Sequence, residues 1–220
     1  MKLYILPLSD LDATLENVGG KGMSLAKLSR VGIPVPDGFH VTTEAYRQFV
    51  TANDLQPKIL VALKDVDISL PATLETASAT IGRFFAESKI PADITKAIAD
   101  AYNNLNRKSV AVRSSATAED LPGASFAGQQ ETYLNIRGEE AILDSVKKCW
   151  ASLWTARAIA YRAHQNISPD SVALAVVVQE LVFADAAGIM FTANPINGNR
   201  DEVVINADFL GPVAMLLAGA

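Results

Sequence analysis

The chain has a single cysteine, Cys149, and only two histidines, His40 and His164. A lone thiol makes no internal disulfide, and no Cys or His stands at metal-ligand spacing from it, which excludes a disulfide scaffold and a structural zinc site. Neither histidine lies beside a Ser, Cys or carboxylate in the pattern of a nucleophile and its base, so both read as structural or surface residues. Basic charge is short as well: 19 Lys and Arg stand against 24 Asp and Glu, a net charge of -5. With no basic block to neutralise a polynucleotide backbone, nucleic acid is not an expected partner. Long apolar runs are missing too. The start, MKLYILPLSD, carries six apolar residues after Lys2 and no small-residue cleavage site, which suits a first strand better than a leader. The richest later run, residues 173–178, suits a buried strand, so no membrane partner is expected and the protein reads as cytoplasmic.

What is present is a chain of 220 residues, half of them apolar, enough to bury a substantial core. Hydrophobic periodicity predicts an α/β (α+β) protein. A strand over residues 2–8 is followed by a helix over 20–31 with Leu25, Leu28 and Val31 on one face, ended by Gly32 with Pro34 and Pro36 beyond. A short strand over 39–41 leads to a helix capped by Thr42 or Thr43. Helical patterns dominate about residues 57–106, and Pro71 and Pro91 each sit where a helix begins, which divides the stretch into three helices. Strands follow over 109–113 and 132–136 with a polar loop between them, then helices over 138–149 and 152–165. Trp150, Leu153, Trp154, Arg157 and Tyr161 share one side of those helices at the spacing of a packed face. Three more strands are expected over 173–179, 188–192 and 202–207.

Four constellations bear on chemistry. In Val18-Gly19-Gly20-Lys21-Gly22-Met23-Ser24, glycines let backbone approach an anion while Lys21 opens a helix, a plausible phosphate turn. It is not a Walker A loop, because Leu15 stands where that motif needs glycine and Gly22 where it needs Ser or Thr. On these residues alone, a plain glycine turn before a helix with a solvent-exposed lysine is the favoured reading. The run SVAVRSSATAEDLPGASFAGQQETYLNI delivers Arg113 to a strand end and then offers Ser114, Ser115, Thr117, Ser125 and small residues, a loop dense in donors for phosphate oxygens. A surface loop with Arg113 paired to Glu119 or Asp120 is the alternative. In VVVQELV an apolar strand ends in Gln179 and Glu180, where backbone groups can meet an adenine edge, although ordinary strand termination explains it as well. AAGIMFTANP reads as a buried strand and turn.

Taken together, GGKGMSLAKL, VPDGFHVTTEAY, RSSATAEDLPGASFAGQQETYLN, CWASLWTARAIAYR and AGIMFTANP resemble the nucleotide-binding domain of phosphoenolpyruvate synthases, over about residues 16–207. Rifampicin phosphotransferases share that domain, and pyruvate phosphate dikinase has a more distant version. The resemblance implies an ATP-grasp fold over residues 1–207, with ATP as the bound nucleotide and Mg2+ expected for the complete family domain. It implies that Lys21 and Arg113 hold phosphates, that Gly128 lies in the loop over them, that Thr132 lines the pocket, and that Gln179, Glu180 and Leu181 border the adenine. The family passes a phosphoryl group to a histidine on a swivelling domain and then to an acceptor; neither the phosphohistidine domain nor the acceptor domain is expected in this chain. Residues 208–220 depart from the family pattern and read as a divergent tail. The expectation is therefore the ATP-binding portion of a phosphoenolpyruvate synthase-like phosphotransferase, with a rifampicin phosphotransferase domain and a non-catalytic nucleotide-binding or interaction module as alternatives.

Overall fold

A computed structural model of the chain describes residues 3–117 and 131–209. The described residues fall into two compact units, one running to Glu180 and one from Leu181 onward. The first unit is built on strands β1 (Ile5–Pro7), β2 (Gly38–Val41), β3 (Val110–Ala116), β4 (Thr132–Ile136) and β5 (Leu174–Glu180), in the order β1-β2-β5-β3-β4, every pair antiparallel. The mixed α and β class expected from the sequence is what is observed, and the sheet proves antiparallel. β5, LAVVVQE, is held between β2 and β3 and is buried along six of its seven residues. It therefore reads as a continuous β-branched run and not as an alternation. The second unit pairs β6 (Ala186–Phe191) with β7 (Val204–Phe209) in an antiparallel hairpin. The divergent tail expected at 208–220 lies outside the described residues, apart from the two β7 positions at its start.

Helix α1 (Leu15–Arg30) packs on β3 and β5 from one side of the sheet. It is interrupted at Gly19, whose φ of 71° and ψ of 178° belong to no helix, so the regular part begins at Gly20, where the sequence put it. Its far end closes in a Schellman motif: Gly32, at φ 80°, donates its N–H to the Ser29 carbonyl, and Ile33 donates to that of Leu28, both at 3.1 Å.

The other side of the sheet carries α2 (Thr43–Ala52), α3 (Leu55–Leu63), α4 (Pro71–Glu87), α5 (Ala92–Asn104), α6 (Glu139–Ser152) and α7 (Ala156–His164). The three helices predicted for residues 57–106 are α3 to α5, with Pro71 in the first turn of α4 and Pro91 capping α5. They share one core with the sheet, centred on Tyr46, Phe49, Phe85 and Trp150, where the Phe49 and Trp150 rings stand 4.9 Å apart. The aromatic stripe needs a correction. Trp150, Leu153 and Trp154 are buried, but Arg157 is exposed and Arg162 is the arginine that turns inward. The helix predicted from residue 152 starts later, because α6 ends at Ser152 and Thr155 caps α7 by accepting the Ala158 N–H at 3.3 Å. That break resets the 3.6-residue register on which the stripe was drawn. Among the described residues no helix is long and apolar enough to cross a membrane.

Two glycines of positive φ separate steric from conformational cost. A Cβ on Gly19 would collide with the Ser115 carbonyl, whereas one on Gly32 meets nothing within 4 Å. Gly32→Ala is expected to cost about 1 kcal/mol, the price of a left-handed residue, and Gly19→Ala at least about 3 kcal/mol, since its φ and ψ are essentially glycine-only and β3 blocks relaxation. Urea unfolding of both variants measures the difference; equal losses would mean that the close approach to Ser115 is not what constrains Gly19.

Candidate functional site

The glycine turn is fastened to β3 by one hydroxyl. Ser115 Oγ accepts the Gly22 N–H at 3.0 Å and donates to the Val18 carbonyl at 2.7 Å, both bonds buried. These bonds satisfy two backbone groups that the break at Gly19 would otherwise leave unpaired in the interior. Gly19 is in contact with the Ser115 backbone, and a Cβ on Gly22 would stand 2.9 Å from Val18 Cβ and 3.1 Å from His40 Nδ1. The glycines at 19 and 22 therefore serve close packing on β3 and β2, and Lys21, half-buried, is the side chain this turn presents at the head of the regular helix. The Cys149 thiol on α6 is pushed well up by burial, with Glu131 adding to the rise and Lys21 opposing it.

Strand alternation sorts the remaining predicted residues. On β3, Val110, Val112 and Ala116 belong to the helical-layer core, which leaves Ala111, Arg113 and Ser115 on the α1 face. On β5, Val176 and Val178 belong to that core, leaving Val177 and Gln179 on the α1 face. The register then draws one rung across the sheet: Leu6 opposite His40, His40 opposite Val177, Val177 opposite Arg113, and Arg113 opposite Thr132. Gln179 lies one rung along, between Gly38 and Ala111, and its Nε2 donates to the Pro36 carbonyl at 3.1 Å. Arg113, Ser115, Thr132 and Gln179 are thus brought to one face, the face against which the Lys21 turn is docked.

Arg113 is not at a strand end. It sits in the middle of β3 and is 3% exposed, because pairing with β5 continues through Ser114, Ser115 and Ala116. A guanidinium keeps its charge when buried, so this face carries a fixed positive charge. Ser114 and Glu180 fall on the opposite alternation. Ser114 donates both its N–H and its hydroxyl to the Glu131 carbonyl, at 3.1 and 3.3 Å. Glu180 pairs with Lys108 at 2.7 Å and donates its N–H to the Asp37 carbonyl at 2.7 Å. Leu181 opens the second unit. Gly128, like Glu119 and Asp120, lies outside the described residues.

His40 shares the rung with Arg113 and is fully buried, with neither ring nitrogen hydrogen-bonded among the described residues. Reading its neighbours in sequence gave no hint of this placement; the signal was the alternation of GFHV, which puts Phe39 and Val41 in the core and His40 against α1. Burial lowers its pKa from 6.5 to about 4, the Leu8 backbone and Asp10 pulling weakly the other way. The imidazole is therefore neutral at physiological pH.

A model of the pyruvate phosphate dikinase AMP/ATP-binding domain matches residues 15–212. A probable phosphoenolpyruvate synthase of Methanocaldococcus jannaschii is 50% identical over 195 residues, covering 86% of this chain and 16% of the relative. The rifampicin phosphotransferase of Streptomyces sviceus is 47% identical over 209 residues, 94% of this chain and 24% of the relative. That of Bacillus subtilis is 44% identical over 212 residues, covering 95% and 24%. The chain spans at most about a quarter of the length of these three relatives.

The depressed His40 pKa has a testable sign. The unfolded chain binds this proton more readily than the folded one, so the stability His40 allows is complete above pH 6.5 and is lost as pH falls toward 4. The total is about 3 kcal/mol at 1.36 kcal/mol per pKa unit. Denaturant unfolding between pH 7 and 4 should show the slope in the parent chain, and His40→Val should remove that part of it; the same slope in the variant would mean that His40 is not buried as described.

Proposed function

This chain belongs to the pyruvate phosphate dikinase AMP/ATP-binding domain family, and on that footing we propose that the face shared by Lys21 and Arg113 binds ATP in a phosphoenolpyruvate synthase-like phosphotransferase. One observation carries the reading. The glycine turn, which brings Lys21, is docked through Ser115 onto the same sheet face that holds Arg113, Thr132 and Gln179. Two cations and the backbone donors of a helix head on one side of a sheet fit a triphosphate. Lys21, as a flexible point charge, suits the outer phosphates, and Arg113, fixed in the sheet, suits a planar bidentate grip. Thr132 would line the same pocket, with Gly128 over the phosphates and Gln179, Glu180 and Leu181 along the adenine. Ser115 acts as a positioning residue, since both of its bonds hold the turn.

A synthase and two rifampicin phosphotransferases match over nearly the same stretch at 44–50% identity. What they have in common there is nucleotide handling, so the phosphoryl acceptor is chosen by other parts of such proteins. Among the described residues no three His, Cys, Asp or Glu groups converge to hold a cation. Magnesium, where it is used, would arrive chiefly on the triphosphate itself. The division into an antiparallel-sheet unit and a separate hairpin unit supports the ATP-grasp reading.

Lys21→Ala tests this with little risk to the fold, because Lys21 is only half-buried. Calorimetric titration should show ATP affinity falling roughly tenfold or more, the worth of a charged hydrogen bond, with AMP affinity much less affected and the melting temperature unchanged. Arg113→Lys, which keeps the charge in the sheet but loses the fork, should also weaken ATP binding. Unchanged ATP affinity in a folded Lys21→Ala variant would refute the assignment.

A further inference from the structure

The helical layer, on the side of the sheet away from α1, holds a second buried cation that nucleotide binding leaves unused. Arg162 on α7 is 4% exposed, and neither Nη1 nor Nη2 has a hydrogen-bond partner among the described residues. Its guanidinium stacks on the Trp154 ring at 4.8 Å, and Trp154 in turn donates its indole N–H to the Tyr46 hydroxyl at 3.1 Å, which fixes the ring. Burial lowers the Arg162 pKa to about 10, Tyr46 opposing, so the group is still charged at neutral pH. Beside it is a cavity of about 230 Å3, walled by Leu63, Ile68, Ile159 and Ile167 together with Trp154 and Arg162, and no carboxylate lines it. A desolvated guanidinium facing an apolar space, its two terminal nitrogens unbonded, is costly unless an anion completes it.

We propose that this cavity is a binding site for a small organic carboxylate with an apolar body, its two oxygens forked on Nη1 and Nη2 of Arg162 and its hydrocarbon against Trp154 and Ile159. The chemistry follows from the walls. A planar fork of donors matches a carboxylate in two parallel bonds, and the rest of the lining offers only hydrocarbon and one aromatic face. Size limits the ligand: a cavity of about 150 Å3 holds benzene, so this one takes a ring and a carboxylate, and it is below the roughly 300 Å3 at which drug-sized pockets begin, which excludes a nucleotide.

Benzoate is the probe, with benzamide as its neutral isostere and acetate as the anion without a ring. Calorimetry on the full chain should give benzoate a dissociation constant of about 1 mM or lower, with the two controls at least tenfold weaker. Benzoate should bind equally in the presence of saturating ATP. Arg162→Met keeps the aliphatic stem and should abolish the preference for benzoate over benzamide, while melting no lower than the parent because an incompletely paired buried charge has gone. Ala163→Phe fills the cavity from an exposed position on the same helix and leaves the guanidinium in place; it should fold and lose benzoate. Benzoate binding no better than that of either control, or binding unmoved by Ala163→Phe, overturns the proposal. That second variant decides the matter even where Arg162→Met fails to fold.

Discussion

The site hangs on the Ser115 hydroxyl. On the α1 face of β3 it bonds the chain on both sides of the Gly19 break, accepting the Gly22 N–H and donating its own O–H to the Val18 carbonyl. With those two bonds made, the regular part of α1 starts at a fixed height above the sheet and Lys21 is held in a turn docked on β3. Gly19 lets the two backbones approach this closely, so the hydroxyl and the glycine form one device: a Cβ on Gly19 would push the turn off the strand that carries its anchor. Phosphate-binding turns are often explained by the glycine's freedom to approach a ligand. Here the first demand on Gly19 and Gly22 is approach to protein, and both glycines are buried against it.

Charge is distributed over the two layers in a complementary way. On the α1 face Arg113 is fixed in the middle of a strand while His40, two strands away on the same rung, is kept neutral by burial. Neither group therefore changes its charge across the physiological pH range. In the helical layer Arg162 is the buried cation, partly compensated by the Trp154 ring.

Much of the fold was legible because its signals are local. The three helices between 55 and 104 are announced by Pro71 and Pro91, β4 runs from Thr132 to Ile136 as its alternation predicts, and Gly32 ends α1 in the motif its position suggests. Mixed α and β architecture followed from those elements. The strand order β1-β2-β5-β3-β4 did not, since it is decided by contacts across more than 130 residues of sequence separation, as between Gly38 and Gln179. The site was legible in composition and not in geometry. RSSA looks like the start of a polar loop because Ser and Arg are poor strand formers, yet pairing with Leu174 to Val177 overrides that preference and buries all four residues. Arg157 and Arg162 were exchanged for a similar reason: one capped turn at Thr155 shifts the helical phase, and phase carried across a break is lost. Which residues share the α1 face is visible in sequence only once each strand's core positions are known.

The central claim is that one sheet face and the Lys21 turn form a single nucleotide site. Amide chemical-shift mapping of the isotopically labelled chain on addition of ATP tests it most directly. The account predicts concerted shifts at Gly19 to Gly22, Arg113, Thr132 and Gln179, all titrating with one dissociation constant, while α3 to α5 stay unperturbed. Shifts confined to the helical layer, or turn and strand residues titrating with different constants, would contradict it.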